Sequence, residues 1–172
     1  MKKLVVILAI VVTILAINKE EKIVIPKEAI RFRVIANSNE EKDQSLKKKV
    51  VNNLNGEIRK LTVLDNNLEN SRKNIKNQIP EFSKVVKETL DKNQSNQTFT
   101  IDYGMNYFPE KEYKGIVYEE GEYESLVITL GNGQGENFWC VLFPPLCLLD
   151  SEEEVKDVEY TSLVKELVDK YF

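Results

Sequence analysis

The chain reads as one α+β domain: a strand first, a helical middle, an antiparallel β-sheet in the second half and a C-terminal helix. Three observations predict this. Apolar residues recur at helical spacing from Leu46 to Leu90. From Thr98 to Leu142 they instead alternate or run in short aromatic and β-branched stretches. A final apolar–polar stretch after Glu152 returns to helical spacing. Strand, helices, strands, helix is the order of an α+β domain with segregated elements.

Each element follows from local pattern. Ile30 to Ala36 alternates, with Ile30, Phe32 and Val34 on one side and Arg31, Arg33 and Ile35 on the other. Asn37-Ser38-Asn39 stops that strand, and Ser38 with Glu41 forms a capping-box pattern that opens a helix. Leu46, Val50, Leu54, Ile58 and Leu61 give the helix its apolar stripe, and Gly56 weakens it without breaking it. Leu68, Ile75 and Ile79 begin a second helix after Asp65. Pro80 predicts a break, with a further helix opening there and carrying Phe82, Val85, Val86 and Leu90. Thr98 to Tyr103, Tyr113 to Tyr118, Tyr123 to Leu130 and Asn137 to Leu142 read as strands. Gly131-Asn-Gly-Gln-Gly135 reads as a hairpin turn. Glu152-Glu153-Glu154 opens the last helix, where negative charge suits the macrodipole, and Leu163, Val164, Leu167 and Val168 form its apolar side.

The ends set the compartment. Lys2 and Lys3 precede a run of 14 residues, Leu4 to Ile17, apolar except for Thr13. This is the layout of an export signal. Its length of roughly 21 Å falls short of a ~30 Å hydrocarbon core. Residues 1–17 are thus read as a signal peptide, with Ala16 the best cleavage point, or as an N-terminal anchor. Residues 23–172 form the exported domain. Without Lys2 and Lys3 there are 22 basic against 28 acidic residues, a net charge near −6. That composition argues against nucleic-acid binding, which wants a basic face.

Chemistry is narrowed by what the sequence lacks. Histidine is absent, which removes the usual general base and the usual zinc ligand. Two cysteines are too few for a disulfide scaffold or a four-thiolate metal site. No cofactor and no metal are expected. Gly131-x-Gly133-x-Gly135 leads into a strand, so it offers no helix N-terminus to a phosphate. Cys140 lies among aromatic and apolar residues, with nothing nearby to activate a thiolate. Cys140 and Cys147 are seven residues apart, about 23 Å along a straight strand. A disulfide needs a Cα separation of roughly 5.5 Å, which only a tight reversal at Pro144-Pro145 supplies; two buried thiols are the alternative. Glu119, Glu120, Glu122 and Glu124 crowd a turn and read as solvated. Arg31 and Arg33 read as a solvated or ion-paired strand face, or as a polar patch with Asn37, Asp43 and Gln44. Tyr103, Tyr107, Phe108, Tyr113, Tyr118 and Tyr123 read as cross-strand packing before they read as a groove.

Three segments then carry a resemblance. The first is Ile25-Pro26-Lys27-Glu28-Ala29-Ile30-Arg31-Phe32-Arg33-Val34-Ile35-Ala36-Asn37-Ser38, with Asp43-Gln44 and Leu46-Lys47. The second is Phe108-Pro109, Tyr113, Gly121-Glu122-Tyr123 and Leu126. The third runs from the glycine cluster through Asn137-Phe138-Trp139-Cys140-Val141-Leu142-Phe143-Pro144-Pro145-Leu146-Cys147. Together they resemble the stage II sporulation protein R family of endospore-forming bacteria. Phe138 stands where relatives commonly have a second Trp, and Glu120 where a Pro commonly precedes Gly-Glu-Tyr. The resemblance implies a signalling protein and no enzyme. Such a protein is made in the forespore and exported into the space between the septal membranes. There it triggers a membrane-embedded aspartic protease, stage II sporulation protein GA, which removes the pro-sequence of sigma factor E. The resemblance, with the favour interfaces show Arg and Trp, makes Arg31, Arg33, Asn37, Asp43, Trp139 and Phe143 the expected partner contacts. Trp139 and Phe143 are equally suited to a core. Two other classes are weighed beside this one. An exported cell-wall hydrolase would need a buried carboxylate or an activated thiol in a cleft. A small-ligand binding module would need an apolar pocket in the aromatic β-half.

Overall fold

The computed structural model describes residues 23–63, 67–113, 116–147 and 157–172. The apolar run Leu4 to Ile17 and the acidic stretch Glu152 to Glu154 lie outside these residues. Element order is β1 (Ile23–Val24), β2 (Ile30–Ile35), α1 (Glu41–Val63), α2 (Leu68–Lys92), β3 (Phe99–Phe108), β4 (Lys111–Tyr113), β5 (Ile116–Tyr118), β6 (Gly121–Leu130), β7 (Asn137–Phe143) and α3 (Asp157–Tyr171). The fold class is α+β, as expected.

The main sheet has the order β3-β6-β2-β7, and a small sheet has the order β1-β5-β4. β3 and β6 pair antiparallel over ten residues each, from Phe99 opposite Leu130 to Phe108 opposite Gly121. β2 lies between β6 and β7, parallel to the first and antiparallel to the second. The main sheet is therefore mixed. The segment Gly131 to Gly135 is not a hairpin turn, because β6 and β7 are not neighbours. It bridges the end of β2, and the reason is that β2 is covered on both faces, Ile30, Phe32 and Val34 on one and Arg31 on the other, and takes the central place.

One face of the main sheet carries Ile30, Phe32, Val34, Leu126, Ile128, Leu130, Cys140 and Leu142. They pack against Leu46, Val50, Leu54 and Ile58 of α1 and Ile75, Phe82, Val86 and Leu90 of α2. This is the largest core cluster, and both amphipathic stripes read from the sequence enter it. α2 runs unbroken from Leu68 to Lys92 with Pro80 inside it, so the expected break at Pro80 does not occur. Pro80 removes one helical hydrogen bond. The apolar residues on both sides of it, Ile75 and Phe82, are buried against one core, and that shared burial holds the helix together.

Asn67 caps α2 by accepting from Glu69 N at 2.8 Å. Glu124 of β6 clamps α2 onto the sheet. It accepts from Arg72 Nε at 2.8 Å and from the Tyr103 hydroxyl at 2.6 Å. Burial first, and then this hydrogen bond, push the Tyr103 hydroxyl above its ordinary pKa.

The opposite face of the main sheet has two neighbours. Ile25, Ala29, Ile116, Tyr118, Val141, Leu146 and Val164 form a second cluster, which joins the small sheet and α3 to β7. Phe108, Tyr123 and Val127 form a third, with Ile35 and Trp139 packed against it. No helix among the described residues is long and apolar enough to cross a membrane.

Cys140 and Cys147 form a disulfide with a Cα separation of 5.4 Å. Chain reversal after β7 supplies it: Phe143-Pro144 is cis, and Leu146 N donates to Pro144 O at 2.7 Å.

Candidate functional site

The family-resembling residues gather at two places built from β2. The first is on the face of the main sheet opposite α1 and α2. Alternation along β2 sends Arg31 and Arg33 there, opposite Val141 and Trp139 of β7. Arg31 is only 1% exposed. Its guanidinium carbon is 3.3 Å from the Tyr123 ring centroid, 5.3 Å from that of Phe108 and 5.6 Å from that of Tyr118. Nη1 donates to Glu119 O at 3.3 Å, while Nε and Nη2 are buried without a partner among the described residues. Arg33 stacks on Phe108 at 4.5 Å, and Phe108 meets Trp139 edge-on at 5.1 Å.

For Arg31 this arrangement differs from both readings, whereas Arg33 stays partly exposed. Among the described residues Arg31 is neither solvated nor ion-paired; it is a cation boxed by aromatic rings. Removing a guanidinium from water costs several kcal/mol. A desolvated cation–π contact returns about 2 kcal/mol, so one ring is too few. Three rings and a carbonyl are of the right size to offset that cost. Burial lowers the pKa of Arg31, against opposing effects of Tyr123, Tyr118 and Glu119. Burial also lowers that of Arg33. A guanidinium stays charged regardless.

The second place is a polar junction where β2 ends. Asp43, in the first turn of α1, is 2% exposed. Its Oδ2 accepts from Asn37 Nδ2 at 2.8 Å and Ser38 Oγ at 2.6 Å, and its Oδ1 accepts from Gln97 Nε2 at 2.6 Å. The hydrogen bonds from Ser38 and Asn37 lead in holding its pKa below the usual carboxylate range; burial opposes them. Ser38 Oγ also accepts from Glu40 N at 3.2 Å. Its acidic partner is thus Asp43, where the capping box predicted Glu41.

The glycine segment wraps this junction. Asn132 N donates to Asn37 Oδ1 at 2.9 Å, Gln134 N to Asn37 O at 3.1 Å, Gly135 N to Ala36 O at 2.9 Å and Glu136 N to Asn39 Oδ1 at 2.7 Å. Gly131 has φ +56, and a Cβ there would strike Asn37 Oδ1. A Cβ on Gly135 would strike the Ser38 carbonyl. The glycines permit close approach of two backbone segments. Lys47, buried in α1, closes the cluster by donating to Gln44 Oε1 at 2.6 Å and Glu136 O at 2.9 Å. Burial is the main cause that lowers its pKa.

The six expected contact residues therefore separate. Arg31, Arg33 and Trp139 share the aromatic face, and Asn37 and Asp43 share the junction. Phe143 is 4% exposed and packs edge-on against Tyr171 at 5.2 Å. Arg31, Asp43 and Phe143 are buried, whereas Arg33, Asn37 and Trp139 are partly exposed. Gln97 was missed, since it joins Asp43 from 54 residues away and nothing in its own neighbourhood marks it. Lys111, 5.2 Å from the Trp139 ring centroid, was missed for the same reason. Among the described residues no group of three or more His, Cys, Asp or Glu is placed to hold a metal ion.

Fold and site define a class: an α+β domain on a mixed sheet, with cationic and aromatic side chains collected on the face opposite α1 and α2. The chain belongs to the stage II sporulation protein R family, whose description (Stage II sporulation protein R, spore_II_R) matches residues 26–153. It is 41% identical over 155 residues to Stage II sporulation protein R of Bacillus subtilis (strain 168), covering 89% of this chain and 69% of that protein. No solved structure matches it. Membership assigns the chain a role in stage II of sporulation.

Proposed function

We propose that this protein is an exported, non-catalytic signal that activates the membrane-embedded aspartic protease stage II sporulation protein GA, so that the protease processes pro-sigma factor E. The observation that carries this reading is the 41% identity to a stage II sporulation protein R across 89% of the chain. In this reading the forespore makes the protein and sends it across its membrane into the space between the septal membranes. The chain remains there either free or held by residues 1–17. Its partner is the protease, close to the septal membrane, and it takes no cofactor.

Activation follows from differential binding: the domain favours the active state of the protease only by binding that state more tightly. Burial narrows the contact surface on this chain. Arg31, Asp43 and Phe143 are enclosed, so they support the fold, and contact falls to Arg33, Asn37 and Trp139. A folded variant that fails to signal would mark a contact.

The test is reconstitution in a non-sporulating host of this chain, the protease and pro-sigma factor E, with processing followed on a blot. The expected result is processing only when this chain is present and exported. Processing without it, or none with all three proteins folded and in place, would overturn the proposal.

A further inference from the structure

β3 is one edge of the main sheet. β6 pairs with it on one side, and among the described residues no strand pairs with it on the other. Every second residue therefore turns its backbone N–H and C=O outward. Such a row is a template for a further strand, and proteins ordinarily block it with Lys, Pro, a bulge or a short strand. β3 has none of these. It is 10 residues long, contains no Lys, Arg or Pro, and keeps an unbroken register from Phe99 to Phe108. Gly104 stands in its middle without a left-handed φ, and a Cβ there would meet nothing nearer than Asp102 Oδ2 at 4.0 Å. Neither backbone conformation nor space within this chain calls for glycine at that position. Close approach by a second backbone is a common use of such a glycine.

The side chains beside this edge specify what an added strand carries. Phe99, Ile101 and Tyr103 face the core under α2. On the same face Met105 and Tyr107 run past the helix, 64% and 54% exposed. A thioether and a phenol ring are adaptable apolar contacts, so they call for apolar side chains. Acid surrounds them. Asp102 lies on the other face, and the Tyr107 hydroxyl donates to Glu120 Oε2 at 3.4 Å. Glu122 of β6 is opposite Tyr107. Asp102, Glu120 and Glu122 are exposed and form no ion pair among the described residues, while the α2 cations Arg72 and Lys76 are engaged with Glu124 and Tyr103. The edge therefore calls for cations. A second copy pairing through β3 would set like charge against like, since the strand has no cation to offer.

We propose that the β3 edge adds an extended segment of another protein in which apolar residues alternate with Lys or Arg, its apolar side chains against Met105 and Tyr107 and its cations beside Asp102. In strand addition to a sheet edge, main-chain hydrogen bonds give affinity and alternate side chains give specificity. The proposal goes beyond the signalling role and does not rest on it.

The probe is a fluorescein-labelled octapeptide of alternating Lys and Val, titrated with the purified full chain and followed by anisotropy. Its counterpart of alternating Glu and Val tests the charge. Two further versions, methylated on the backbone nitrogen of every Lys or of every Val, test the edge. The expected result is a saturable rise with the Lys–Val peptide, and binding of the Glu–Val peptide weaker by roughly tenfold or more. Only one of the two methylated versions should lose binding, by roughly tenfold or more, because only one set of N–H groups faces β3. Met105→Lys and Asp102→Lys should each weaken the Lys–Val peptide by roughly fivefold or more. Both side chains are exposed, and thermal melts separate lost binding from lost folding. No saturable rise at millimolar protein, equal binding of the two charge types, equal effects of the two methylations, or indifference to both variants would each overturn the proposal. So would self-association in sedimentation that Met105→Lys abolishes, since a second copy would then hold the edge. No protease is present in this assay, so its failure leaves the signalling proposal standing, and the reverse also holds.

Discussion

Replacing Asp43 with alanine should destabilise the protein by about 3–4 kcal/mol. The carboxylate accepts three hydrogen bonds, from Asn37, Ser38 and Gln97. A hydrogen bond to a charged group is worth about 1.5–3 kcal/mol, which would sum to more than 4. The three donor residues are partly exposed, however, so water recovers some of the loss. The remainder is still a large share of the ~5–15 kcal/mol that holds a typical domain. Asp43→Asn keeps the shape and one acceptor oxygen and should lose about half as much. Urea denaturation at neutral pH measures both. The pH dependence gives a second check. The folded pKa of Asp43 is lowered, so the folded state binds fewer protons than the unfolded state near pH 4. The stabilisation is full above about pH 4–5 and is lost as pH falls through the folded value. The gap between the native protein and Asp43→Asn should therefore narrow on acidification. A loss below about 1 kcal/mol for Asp43→Ala, or a gap that widens toward pH 3, would refute the reasoning.

Gly135→Ala should cost about 2–4 kcal/mol, because the new methyl meets the Ser38 carbonyl and only backbone movement relieves it; the same urea experiment measures it. Breaking the Cys140–Cys147 bridge by Cys147→Ala should cost about 2.5 kcal/mol, from the closure entropy of a loop with sequence separation 7. A non-reducing mass measurement on the native protein should find no free thiol. Arg31→Met should change stability by less than about 1 kcal/mol, since it exchanges a boxed cation without a carboxylate for apolar volume. Arg31→Lys should cost about 2 kcal/mol, since a strongly hydrated ammonium stacks poorly on Tyr123; thermal denaturation of the pair decides the order.

How far each element was legible depends on the distance over which its causes act. The α1 stripe of Leu46, Val50, Leu54 and Ile58 is a local periodicity, and all four residues are core. The alternation in β2 correctly put Phe32 and Arg31 on opposite faces. The α+β class followed from such patterns, and the absence of histidine limited the chemistry without any coordinates. Pro80 shows where local rules stop: a proline signal pointed to a break, and burial of Ile75 and Phe82 in one core overrode it. Strand order was equally out of reach. Nothing near Gly131 to Gly135 says that β2, a hundred residues earlier, comes between the strands they join. The candidate site was legible as a set of motif residues and illegible as a place. Asp43 with Gln97, Arg31 with Tyr123, and Lys111 with Trp139 are partnerships between segments remote in the chain. Sequence alone determined which side chains are apolar, charged or free to turn, because those properties belong to single residues and their near neighbours. Tertiary structure decided which charges are buried and what they face, because burial is set by every segment that packs around them.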